Sequence, residues 1–173
     1  SNGILFNHES ELRGREFVTR KITSQLAKIL EQAGPAVRLG NLDSVRDWGY
    51  APDYVGGMIL INEAKVASDY VIATNSVLSV RDFFRASAIA AGFSPVFDGE
   101  GINERCICEK SSKVLCEVDE KYFRPSDVNY LRGDYSKIER ELGWRPTTSM
   151  EEMTEKMIFS DIQLARSGHP PSF

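Results

Sequence analysis

Two hydrophobic periods alternate along this sequence, and that alternation restricts its fold more than any other feature. Short apolar runs that suit extended chain, at Gly3-Ile4-Leu5-Phe6, Ala36 to Leu39 and Asp69 to Ala73, are separated by segments whose apolar residues recur every three or four positions. Val18, Ile22, Leu26 and Ile29 mark the first such segment, a long amphipathic helix with basic residues near its start that stops at Gly34-Pro35. A second helix enters at Pro52, whose fixed φ suits a first turn, and runs to about Lys65 with Val55 to Ile61 expected as core. Ser79-x-x-Asp82 reads as the cap of a third, which reaches Gly92. Strand, helix, strand, helix is the rhythm of α/β structure.

The remaining segments fit around that frame. Gly40-Asn41-Leu42-Asp43 is a turn signal between the extended run ending at Leu39 and another from Val45 to Tyr50. The segment from His8 to Arg15 reads as a polar loop, and Pro95 to Glu117 as short β pieces around Gly99-Glu100-Gly101. Ser136-x-x-Glu139 and Ser149-x-x-Glu152 predict capping boxes for two last helices, closed by Gly168 with Pro170 and Pro171. With neither an internal repeat nor a low-complexity linker, residues 1–173 read as one compact unit. A strand expected to be buried at residues 3–6 also predicts a further portion of protein before Ser1.

Charge and cysteine usage exclude several function classes. The 21 basic and 25 acidic residues are interspersed, which argues against nucleic acid or a membrane surface as partner, so an anionic ligand must meet a local basic site. No run reaches the roughly 18 apolar residues of a membrane span. Cys106, Cys108 and Cys116 lack Cys-x-x-Cys spacing and the two histidines, His8 and His169, lie far from them, so no metal site is expected. Cys106 and Cys108 should share one face of an extended segment as reduced thiols, which places the chain in the cytoplasm.

Catalytic patterns are missing where an enzyme would need them. None of the 13 glycines forms G-x-G-x-x-G or G-x-x-G-x-x-G, no Tyr-x-x-x-Lys pair occurs, and no Ser-His-Asp or Cys-His spacing is suggested. Three groups of residues instead suit anion recognition, the third made of two stretches. Asn7-His8-Glu9-Ser10 with Arg13 leaves a strand, and Phe17-Val18-Thr19-Arg20-Lys21 opens a helix, where free N–H groups favour phosphate. Arg46-Asp47-Trp48-Gly49 and Arg124-Pro125-Ser126-Asp127 place arginines in loop-like settings suited to bidentate contact. Each has a plainer reading: a solvated Arg or Lys, a capping or core His8, a core Trp48.

The joint order of these motifs is more specific than any one of them. Asn2-Gly3-Ile4-Leu5-Phe6-Asn7-His8-Glu9-Ser10, Phe17-Val18-Thr19-Arg20-Lys21-Ile22, Arg46-Asp47-Trp48-Gly49, Lys121-Tyr122-Phe123-Arg124-Pro125 and Leu142-Gly143-Trp144-Arg145-Pro146 resemble the GDP-mannose 4,6-dehydratase family, within the extended short-chain dehydrogenase/reductases. The resemblance implies an α/β C-terminal substrate-binding lobe, helices with a few strands, lacking the N-terminal Rossmann half that binds NADP. It implies that His8 and Arg13 match cofactor contacts, and that Asn7, Val18, Lys21, Arg46 and Arg124 surround the GDP-mannose diphosphate and sugar, with Asp127 near an acidic position that holds the nucleotide. The parent enzyme would be an NADP-dependent lyase and a homo-oligomer. No catalytic role falls on this chain, which alone should be inactive and bind NADP weakly. Where the family usually reads Ser-Pro-Arg-Arg-Gly, Ser10-Glu11-Leu12-Arg13-Gly14 keeps only one of two arginines beside the cofactor phosphates. The alternatives are a stand-alone GDP-sugar-binding module without catalysis and, more remotely, a fragment of an epimerase or reductase.

Overall fold

A computed structural model describes residues 1–122 and 128–168. One extended run, broken at Phe6, gives β1 (Asn2–Leu5) and β2 (Asn7–Glu9) and leads through a turn into α1 (Val18–Gln32). Then come β3 (Val37–Leu39), β4 (Val45–Arg46), β5 (Trp48–Tyr50) and α2 (Ala51–Glu63). β6 (Asp69–Ile72) and β7 (Leu78–Ser79) precede α3 (Val80–Ala90). β8 (Pro95–Asp98), β9 (Arg105–Cys108) and β10 (Val114–Val118) follow, and α4 (Ser136–Leu142) and α5 (Met150–Ser167) end the described chain.

Pairing divides the strands by direction. β1 runs parallel to β6, with Gly3 beside Tyr70, and β2 runs parallel to β5, with His8 beside Gly49. β4 and β7 pair antiparallel, and β3-β10-β9-β8 form a four-stranded sheet in which only the β3–β10 pair is parallel. Ile22, Leu26 and Ile29 turn the buried face of α1 into a cluster with Trp48, Phe83, Phe84, Leu115, Met153 and Met157. A second cluster joins α2, β6 and α4 through Tyr54, Ile61, Tyr70, Ile72, Ile138 and Trp144. Burying a side chain of this size contributes about 1.5–3 kcal/mol, so the clusters tie together elements that their own short hydrogen-bonded ladders could not.

Four expectations need correction. The expected strand forms at Asn2–Leu5 but is not buried: β6 pairs along its edge, while Asn2, Gly3 and Ile4 stay exposed, Ile4 by 53%. The run from Val55 to Ile61 is helical but mostly not core: Tyr54, Gly57 and Ile61 are buried, whereas Val55 is 50% and Ile59 53% exposed. A helix returns to one face every three or four residues, so a continuous apolar run puts half its members on the other side. His8 and Glu9 lie in β2, leaving the loop to begin at Ser10. Ser136 does not cap α4; Asp134 accepts bonds from its backbone N–H and hydroxyl, the two-residue reach typical of a short carboxylate. Ser79 and Asp82 do form a reciprocal capping box, Ser149 accepts from the Glu152 N–H at 3.1 Å, and Gly168 ends α5 with φ 67°.

Cys106, Cys108 and Cys116 are buried free thiols, with Cys106 and Cys108 on one face of β9. Cys116 lies opposite Cys106, and burial pushes both thiols up to about 12. Among the described residues no helix is long and apolar enough to cross a membrane.

Candidate functional site

The end of β1 and the first two residues of β2 border a cleft of about 270 Å³ lined by Leu5, Phe6, Asn7, His8, Arg13 and Leu131. Three residues singled out in the sequence, Asn7, His8 and Arg13, therefore meet there. His8 Nδ1 lies 2.9 Å from the Phe6 carbonyl, which can only accept, so this nitrogen carries the hydrogen and Nε2 is left for other contacts. The His8 ring rests 5.3 Å from that of Tyr54.

Glu9 is buried behind the cleft. It accepts a hydrogen bond from Thr19 Oγ1 at 2.5 Å, and Arg13 Nε stands 3.3 Å from its Oε2, an ion pair not aligned as a hydrogen bond. Burial pushes the Glu9 carboxyl above its ordinary range, against the opposing pull of the Thr19 hydroxyl, Arg13 and His8. The Arg13 guanidinium stacks 3.5 Å above the Phe17 ring, and its backbone carbonyl accepts from Arg20 Nη1 at 3.0 Å. Arg20 is itself buried and grips Asp161 of α5 through Nε at 2.9 Å and Nη2 at 2.8 Å, while Thr23 Oγ1 donates to the same carboxylate at 2.7 Å. Helix packing, β2 and the Arg13 loop are thus joined through one charged network.

A second buried carboxylate organises the other side. Asp47, just before β5, accepts four hydrogen bonds: from Thr74 N–H and Oγ1, Asn75 N–H and Gly133 N–H, at 2.6–3.1 Å. Gly133 is required there, since a Cβ would collide with Ala73. Gly49 likewise leaves room for the ring and hydroxyl of Tyr54. That hydroxyl is buried without a hydrogen-bond partner among the described residues. Burial raises its pKa, and Asp47, Glu9 and Asp53 push the same way, so Tyr54 stays protonated and offers no phenolate base.

The remaining nominated residues do not line this cleft. Val18 opens α1, partly buried against the main cluster, and Lys21 Nζ sits 3.6 Å from the Tyr122 ring centroid. The N-terminus of α1 has no side-chain cap and no acidic residue in its first turn, which leaves its dipole unopposed. Arg46 belongs to β4 rather than a loop, and its Nη1 donates to the Val45 carbonyl at 2.9 Å. Trp48 is core, 5.3 Å from Phe83. Arg124 and Asp127 lie outside the described residues.

Residues 1–157 match the family described as GDP-mannose 4,6 dehydratase. The chain belongs to the GDP-mannose 4,6-dehydratase family. It is 44% identical over 166 residues to GDP-mannose 4,6 dehydratase of Homo sapiens, covering 96% of this chain and 45% of that protein. To the Yersinia enterocolitica enzyme it is 43% identical over 175 residues, covering 95% and 47%. The chain therefore spans about half the length of the relatives it matches. Among solved structures it resembles RMD from Pseudomonas aeruginosa complexed with NADPH, with TM-score 0.74, 17% identity and coverage of 93% of this chain and 48% of that one. Bacillus anthracis dTDP-glucose 4,6-dehydratase in complex with NAD gives TM-score 0.69 at 14% identity, covering 91% and 43%. At these identities the likeness is one of fold: α/β structure shared with part of such enzymes.

Glu9, Thr19, Arg20 and Asp47 all lie within the motifs singled out in the sequence, yet none had been given a role of its own. Arg20 had a visible signal: Arg20, Thr23, Ser24 and Ala27 form a stripe of small and polar residues beside the apolar one, at the spacing that lets another helix approach closely. Asp161 similarly continues the buried Met153–Met157 stripe of α5 by one further turn. Neither stripe reveals that the two residues pair.

Proposed function

We propose that this chain is the C-terminal, GDP-mannose-recognising part of a GDP-mannose 4,6-dehydratase, and that a nucleotide-binding part precedes it in the complete enzyme. The observation that carries this reading is the β1–β6 unit. A parallel pair of strands rarely stands by itself, because parallel sheets are built from several strands covered on both faces. Here Ile4 on β1 and the outer stripe of α2, Val55, Met58 and Ile59, remain exposed, the surfaces a larger parallel sheet and its helices would cover.

Within the complete enzyme, His8 and Arg13 would hold NADP, which supplies the hydride acceptor when bound. Their cleft fits one phosphate or sugar unit, offering one cation, one imidazole nitrogen and one amide. At about 270 Å³ it falls below the roughly 300–1,000 Å³ of a full ligand pocket, so most of the dinucleotide must be held elsewhere. The chain alone should accordingly bind NADP with a dissociation constant of about a millimolar or weaker, and should form no 4-keto-6-deoxy sugar nucleotide from GDP-mannose. Calorimetry and product analysis check both, and micromolar binding or turnover would refute the division of labour.

Lys21, Arg46 and Arg124 would converge on the GDP diphosphate, with Asn7, Val18 and Asp127 around the sugar and nucleotide. Alanine at any one of the three cations should weaken GDP-mannose binding to the complete enzyme by about 1.5–3 kcal/mol. At the two arginines lysine should cost nearly as much, because the bidentate fork is lost in either case. Losses under about 0.5 kcal/mol would identify solvated surface charges instead.

A further inference from the structure

We propose that Glu9 is a positioning residue: its carboxylate, fixed by Thr19, holds the Arg13 guanidinium in place at the cleft lined by Asn7 and His8. The proposal rests on the reading of Arg13 as a cofactor contact, but the geometry behind it is independent of that reading. Arg13 is gripped twice. Its carbonyl is held by Arg20, which Asp161 clamps, and its side chain lies between the Phe17 ring at 3.5 Å and Glu9 at 3.3 Å. Arg13 Nε is buried on the Glu9 side, while the residue also lines the cleft. A flexible side chain gripped at one edge loses its rotamer freedom before an anion arrives, and preorganisation of this kind strengthens binding.

The surroundings of Glu9 disfavour its charged form. The charged and titratable groups around it are Arg13, His8 and Tyr54, with the uncharged Thr19 hydroxyl. Burial outweighs the help they give, so the folded Glu9 carboxyl lies above its ordinary range. Folding therefore favours the protonated acid: its stabilising contribution is complete below the unfolded pKa and is lost as pH rises through the folded value. At neutral pH the ionised carboxylate therefore contributes less to folding than the protonated acid would, the reverse of what a purely structural ion pair would do.

The test compares the 173-residue chain with Glu9→Gln, Thr19→Val and Arg13→Ala. The readouts are the Arg13 Nε–H signal by NMR and thermal melting against pH in this chain, and titration of the same variants with NADP+ in the complete enzyme, where the rest of the dinucleotide is held. In Glu9→Gln the Arg13 Nε–H should exchange with solvent about tenfold faster, and NADP+ binding should weaken as much as in Arg13→Ala. Melting at pH 7 should be no lower than wild type, and any gain should shrink towards pH 4.5. An unchanged Nε–H signal, or a melting temperature that falls at pH 7 and recovers in acid, would overturn the proposal. If Arg13→Ala leaves NADP+ binding unchanged, the cofactor reading of Arg13 fails and the Nε–H signal of Glu9→Gln alone decides the positioning role. Thr19→Val frees the carboxylate without altering charge and should speed Nε–H exchange in the same direction, which keeps the question answerable should Glu9→Gln not fold.

Discussion

Arg20→Ala and Asp161→Ala are each expected to destabilise this protein by about 3–5 kcal/mol, the range for leaving one half of a buried ion pair without its partner. Both side chains are almost wholly buried and they meet through two guanidinium nitrogens, so neither can recover water when the other is removed. Arg20→Ala also strips a donor from the Arg13 carbonyl, and Asp161→Ala strips the nearer acceptor from the Thr23 hydroxyl, leaving the Arg20 carbonyl at 3.3 Å. For a chain of this size the loss corresponds to a fall in melting temperature of roughly 10 °C. Replacing both residues together, as Arg20→Met with Asp161→Leu, should restore most of the stability, since apolar packing can substitute for a desolvated pair. The double variant should still lose order at Arg13, because nothing then holds that carbonyl. Equal melting of the single variants and wild type would show that the pair contributes nothing to the α1–α5 contact.

Asp47→Ala should cost about 2–3 kcal/mol, because a wholly buried carboxylate is the shared acceptor of four donors, of which the Gly133 N–H is buried and those of Thr74 and Asn75 lie nearer the surface. Asp47→Asn tests the same site more gently: one oxygen remains, but an amide NH2 must face backbone N–H groups, for an expected loss of about 2 kcal/mol. The affected segments are distant in sequence. Asn75 holds a left-handed φ of 58°, which asparagine tolerates better than most residues, and its side chain and carbonyl accept from Arg132 Nε. Amide exchange should therefore accelerate first at Asn75 and Gly133. Uniform exchange across the chain in Asp47→Asn would argue against this hub.

Much of the fold was legible because it depends on neighbours in sequence. The helical spacing of Val18, Ile22, Leu26 and Ile29, the Pro52 entry, the Ser79–Asp82 box and the Gly168 stop each express a local steric or hydrogen-bonding preference, and each stands in the structure. Ser136 shows the limit of such signals: the spacing satisfied a capping box, but Asp134 reached the same N–H first. At the candidate site, Asn7, His8 and Arg13 could be nominated together because they lie within seven positions of one another and share the cleft.

What the sequence by itself determined was the order of the helices and of the longer strands and the membership of the GDP-mannose 4,6-dehydratase family. Tertiary structure alone decided which polar residues are buried, and with whom. Arg20 and Lys21 are adjacent basic residues on one helix, yet Arg20 enters the α1–α5 interface to meet Asp161 while Lys21 lies over Tyr122. Val55 and Ile59 are as apolar as Ile61 but face outward. Successive helical residues point about 100° apart, so a single turn presents both kinds of environment. Which side becomes interior depends on segments more than a hundred residues away, and no local preference encodes that contact.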